Sequence, residues 1–148
     1  MSLQSNVMEE MKTAMRAKDT VSLEALRAIK SALLLARTES SSKELTEADE
    51  LKLLQKLVKQ RKDSAAIYSE QGREDLAEPE LAQAAVIEKF LPEQMSEEEI
   101  AGVIEKIIAE TGAEGMKDMG KVMGLATGRL AGKADGKVIS SIVKQKLA

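Results

Sequence analysis

The 148-residue chain has no cysteine and no histidine. Their absence excludes disulfides, thiolate zinc sites, cysteine nucleophiles and every mechanism that uses imidazole as a proton shuttle. Serine–lysine chemistry or paired carboxylates remain for catalysis, and both need a shaped pocket that the sequence does not specify. Aromatics are nearly absent too, with one tyrosine and one phenylalanine. A chain rich in Ala, Leu, Ile, Val and Met but poor in aromatics favours aliphatic helix packing over sheet. No uncharged stretch is long enough to span a bilayer. Residues 1–20 are broken up by charges from Glu9 onward and have no apolar segment of the kind that directs secretion. The expectation is an all-α cytoplasmic protein with no membrane partner.

Charge of one sign is also scarce, but only locally. The net charge is −3, yet residues 1–112 hold 15 basic against 22 acidic residues, whereas residues 113–148 hold seven against three. The tail is the basic end. Such segregation is compatible with an anionic partner, and equally with an ordinary solvated face.

Apolar residues recur at helical spacing along nearly the whole chain. "NVMEEMKTAMRAKD" places Val7, Met8, Met11, Ala14 and Met15 at that spacing, and Leu23, Leu26, Ile29 and Leu33 continue it after an N-cap at Asp19 or Thr20. "TESSSKEL" is the most polar stretch and predicts a loop. Thr46 and Asp49 fit a capping box that opens a long helix reaching toward Gly72. A fourth helix carries Leu81, Ala85, Val86, Ile87 and Phe90; Pro79 must lie in its first turn or kink it. Leu91 and Pro92 stop that helix, and Ser96 with Glu99 predicts a second capping box. The spacing therefore predicts two helical bundles, four helices over 1–92 and three over 93–148. In the second, Ile100, Val103, Ile104, Ile107 and Ile108 form one stripe ending at Gly112.

Eight of the nine glycines fall in that second part, most of them in "GKVMGLATGRLAGKADG" (120–136). The spacing does not suit a Walker A loop, because Gly128 and Gly132 are separated by three residues and Lys133 precedes Ala134. No Gly-x-Gly occurs for a dinucleotide fingerprint, and Lys121, Arg129 and Lys133 deny a membrane GxxxG seam. Met119, Val122, Met123, Ala126 and Leu130 predict the apolar face of a helix, which puts Gly120, Gly124 and Gly128 on an adjacent row. Each costs about 1 kcal/mol of helix propensity relative to alanine. Close approach by a neighbouring helix or by a ligand would compensate. Gly132 suits a left-handed helix end, and Asp135 an N-cap for a last helix with Val138, Ile139, Ile142, Val143 and Leu147 inward.

The motifs "VKQRKDSAAIY", "GREDL", "LPEQMSEEE", "KDMGKVMG" and "GKADGKVISSIVKQKL", in that order and with the "MEEMKTAMRAKD" opening, resemble the GatB/YqeY family over essentially the whole chain. The resemblance implies an all-helical protein of a four-helix and a three-helix bundle. It also implies kinship with the tail domain of the GatB component of the glutamine-dependent aspartyl/glutamyl-tRNA amidotransferase, a tail that contacts tRNA while the carbon–nitrogen ligase chemistry occurs in other domains. Gly128, Gly115 and Pro79 depart from the family's usual pattern.

These readings converge on Lys117, Lys121, Arg129, Lys133, Lys137 and Lys144 as candidate nucleic-acid-binding residues, with Gly120, Gly124, Gly128 and Gly132 as close-approach glycines. The near-absence of aromatics argues against base stacking, so contacts would be to phosphates and RNA shape. "QRKDS" (60–64) predicts helix contacts and local ion pairs. Lys133 with Asp135 is explained by a solvated lysine and a cap, and the Ser96–Glu99 acids suit a helix N-terminus without a metal. The expectation is a non-catalytic tRNA-binding module with no cofactor and no metal, partnered by tRNA and by a tRNA amidotransferase or aminoacyl-tRNA synthetase component. Any amidotransferase activity would need other subunits. The alternative is a helical protein–protein adaptor.

Overall fold

The computed structural model describes residues 2–39 and 44–148. Among these the protein is all-α. Seven helices follow in order: α1 (Leu3–Ala17), α2 (Thr20–Glu39), α3 (Glu47–Glu70), α4 (Glu74–Glu88), α5 (Glu97–Thr111), α6 (Met119–Arg129) and α7 (Gly136–Leu147). The chain divides into two compact units, Met1–Leu91 and Pro92–Ala148. The centre of the polar loop, residues 40–43, lies outside the described residues.

Helix starts follow from their caps. Thr46 and Asp49 form a complete capping box at α3, each side chain accepting the other's backbone N–H at 3.1 Å. The Asp19 carboxylate accepts from the Ser22 N–H at 3.1 Å and from its hydroxyl at 2.6 Å, opening α2. At α5 only half of the expected box forms. Ser96 Oγ accepts from the Glu99 N–H at 3.2 Å, but the Glu99 carboxylate meets the Ser96 hydroxyl instead of its N–H. Pro79 is the sixth residue of α4 rather than a first-turn residue, so the helix lacks one hydrogen bond there. Lys18 ends α1 in the left-handed region, with φ of 56°.

In the first unit α1 packs on α2, α2 on α3 and α4, and the most extensive pairing is that of α3 with α4. The shared core holds Val7, Leu26, Ile29, Leu33, Leu54 and Ile87. Ala65 and Ala77 are buried but outside that cluster, where α3 and α4 continue as a two-helix arm. Arg61 ties this unit together: its Nε donates to Gln83 Oε1 at 3.1 Å, and Gln83 Nε2 donates to Glu24 at 3.0 Å, linking α3, α4 and α2. Lys62 pairs with Glu88 at 2.7 Å. Met8 and Met15, although at helical spacing with the core residues of α1, are exposed at 45% and 60%. Two helices of a hairpin can bury only one narrow face of α1, and Val7 and Ala14 occupy it.

In the second unit α5, α6 and α7 pack pairwise around Ile104, Ile107, Val122, Ala126, Ile139 and Val143. Gly132 turns the chain between α6 and α7 with φ of +76°. The entry segment is pinned to that turn, because Gln94 Nε2 donates to the Gly132 carbonyl at 2.7 Å and the Met95 N–H donates to the Lys133 carbonyl at 2.9 Å.

Candidate nucleic-acid interface

The six candidate cations fall in two groups at opposite ends of α6 and α7. Gly115 approaches the end of α7, where an added Cβ would lie 3.9 Å from the Leu147 carbonyl oxygen. Lys117 and Lys121, just after Gly115, and Lys144, in the last turn of α7, therefore belong to one end of the three-helix unit. Arg129, Lys133 and Lys137 belong to the other, around the Gly132 turn. Lys137, Ser141 and Lys144 share one exposed face of α7 at i, i+4 and i+7. Lys137 and Lys144 are thus about 10 Å apart along the helix axis.

Five of the six are solvated. Lys117, Lys121, Lys133, Lys137 and Lys144 are exposed and make no side-chain hydrogen bond or ion pair among the described residues. Arg129 differs: its guanidinium donates to the Glu110 carboxylate of α5 at 2.6 Å. That bond holds the Glu110 carboxyl below its ordinary range. A second tie of the same kind joins Lys146, also at 2.6 Å, to Glu105. Lys144 and Lys146 moreover occupy the last turn of α7, where a cation favours the negative end of the helix dipole.

The basic tail is therefore opposed within its own unit. Residues 92–148 contain eight basic and nine acidic residues, the acids concentrated on α5 and the bases on α6 and α7. The field near the unit is polarised rather than uniformly positive.

The glycine row lies on the exposed side of α6. Gly120, Gly124 and Gly128 are exposed, and a Cβ added at any of them would meet nothing within 4 Å. Close packing of a helix from this chain is thus not what those glycines serve, and Gly132 is instead a buried turn residue. The row leaves a bare strip of backbone beside the row of Lys121 and the half-exposed Leu125, which lie at i and i+4, with Met116 exposed four residues before Gly120. Sequence reasoning missed the α5 acids as counterweights, although counting charges from Pro92 rather than from residue 113 would have found them.

No charged or polar side chain is buried among the described residues, no group of His, Cys, Asp or Glu among them could hold a metal, and no described helix is long and apolar enough to cross a membrane. Against known proteins, residues 4–147 match the family model described as Yqey-like protein. A glutamyl-tRNA(Gln) amidotransferase component of Thermococcus gammatolerans is 34% identical over 84 residues, covering 54% of this chain and 13% of that protein. The mitochondrial protein named altered inheritance of mitochondria protein 41 is 37% identical in Meyerozyma guilliermondii, covering 55% of this chain and 42% of that one. In Pyrenophora tritici-repentis the protein of that name is 29% identical, over 92% of this chain and 76% of its own. The chain thus spans less than half the length of the first two.

Proposed function

The chain belongs to the YqeY-like family, and from that premise we propose that it is a non-catalytic RNA-binding module acting on tRNA beside a tRNA amidotransferase or aminoacyl-tRNA synthetase component. The observation that carries the reading is the set of five solvated lysines at the two ends of α6 and α7, together with a strip of α6 backbone bared by three glycines. Lysines supply phosphate contacts without sequence preference, and a helix without side chains lets a sugar–phosphate backbone come closer than an ordinary helix does. The amidotransferase relatives, whose name includes tRNA, point to the same ligand class.

The test is binding of the whole chain to bulk tRNA across a salt series. Five phosphate contacts give a log–log salt slope of about −3 to −5. Reversal of Lys121, Lys133 and Lys137 to Glu, with helicity retained, abolishes binding. No binding at low salt sinks the reading and favours an adaptor, for which the exposed Met116 and Leu125 beside the glycines are the supporting observation.

A further inference from the structure

The first unit carries two exposed faces of opposite charge and like shape, and neither serves the proposed tRNA interface. On α2, Arg27, Lys30 and Leu34 fall at i, i+3 and i+7, so they share one face. Leu34 is 64% exposed. It borders a groove between α1 and α2 lined by Val7, Met8 and Leu33, with Lys30 and Arg37 also on its wall. Met15, two turns beyond Met8 on α1, extends the apolar strip.

On α4, Glu74, Glu78 and Leu81 fall at i, i+4 and i+7 on the two-helix arm. Leu81 is 48% exposed, and Ile67 and Leu76 are exposed on the same arm. Arg27 and Lys30 have no ion pair among the described residues, and neither do Glu74 and Glu78. Each face therefore presents two unneutralised charges followed by a leucine over the same seven-residue span, about 10 Å of helix.

The geometry points to a second copy of this chain as the occupant of the α1–α2 groove. The arm of one molecule lies along α2 of another, α4 parallel to α2, with Glu74 against Arg27, Glu78 against Lys30, and Leu81 against Leu34. That register pairs both charges and buries both leucines at once; the antiparallel one sets each leucine against a charge. Because every molecule carries both halves, the contact is head-to-tail.

The test is sedimentation velocity of the whole chain over a concentration series at low and high salt. The expected result is reversible self-association that weakens with salt. Lys30→Glu and Glu78→Lys, each checked for unchanged helicity, weaken it about tenfold, because each sets like charges against one another. Mixing the two variants restores association, since the reversed α2 of one meets the reversed α4 of the other. A chain that stays monomeric throughout, association that neither reversal changes, or a mixture that does not recover overturns the inference. These substitutions lie outside the second unit, so tRNA binding and self-association fail or succeed separately.

Discussion

The Arg129 guanidinium donates to Glu110 at 2.6 Å, joining the last turn of α6 to α5. One of the six candidate cations is thus already neutralised by a residue 19 positions earlier. The pair is half exposed on both sides, so its contribution to stability is screened. Its larger consequence is for charge: whatever phosphate approaches Arg129 must compete with Glu110.

Glu110→Gln removes that competition. The variant is expected to bind tRNA about threefold more tightly at low salt, with a steeper salt slope, because a further cation becomes available to phosphate. Its urea midpoint should stay close to the parent's. Unchanged affinity with unchanged folding would place Arg129 outside the interface.

Acid should destabilise the protein in a defined direction. Asp19 is held below its ordinary pKa by the Ser22 hydroxyl and N–H, Asp49 by the Thr46 N–H and hydroxyl, Asp75 by the Arg73 guanidinium, and Glu110 by Arg129. In each case the unfolded chain takes up the proton first, so the contribution is fully present above the ordinary carboxylate range near about 4 and is lost as pH falls through the lowered native values. Urea midpoints measured from neutral to acid pH should hold steady and then drop. Asp49→Asn, which keeps an acceptor but cannot titrate, should shallow the drop; identical acid limbs for parent and variant would exclude Asp49 as a contributor.

Lys18 occupies a left-handed conformation, φ 56°, that costs an L-residue about 1–2 kcal/mol and glycine almost nothing. Lys18→Gly should raise unfolding free energy by about 0.5–1 kcal/mol after the added flexibility of the unfolded chain is deducted. Equilibrium denaturation checks the sign. A loss of stability would mean that the lysine stem packs against the α1–α2 turn.

Much of the helical order was legible because it is local. The Thr46–Asp49 box, the Asp19 and Asp135 caps and the isoleucine stripe of α5 each rest on residues within a turn or two of one another. What the sequence withheld is what depends on distant neighbours. Met8 and Val7 look equally apolar, and only the placement of α2 decides that Val7 is buried and Met8 is not. Ser96 and Glu99 have the spacing of a full capping box, yet a rotamer choice sends the carboxylate to the hydroxyl. The candidate cations were readable as types, but whether each is free depends on α5. The glycine row was readable as a helix face, but not as an exposed one.

That exposure makes the glycines the sharpest test of the tRNA reading. A Cβ at Gly120 or Gly124 would meet nothing within 4 Å, so replacement by alanine costs no packing and gains about 1 kcal/mol of helix propensity at Gly124, in the helix interior, and less at Gly120, the second residue of α6. A protein under no other constraint would be more stable with alanine there. If a phosphate backbone lies against the row, Gly120→Ala with Gly124→Ala should raise the melting temperature and weaken tRNA binding together, as expected where function is bought with stability. Both quantities are measurable on one preparation, by thermal unfolding and by titration with tRNA. A more stable variant that binds as well as the parent would show that the ligand touches the lysines without approaching the α6 backbone, and would move the contact to the Lys137–Lys144 face of α7.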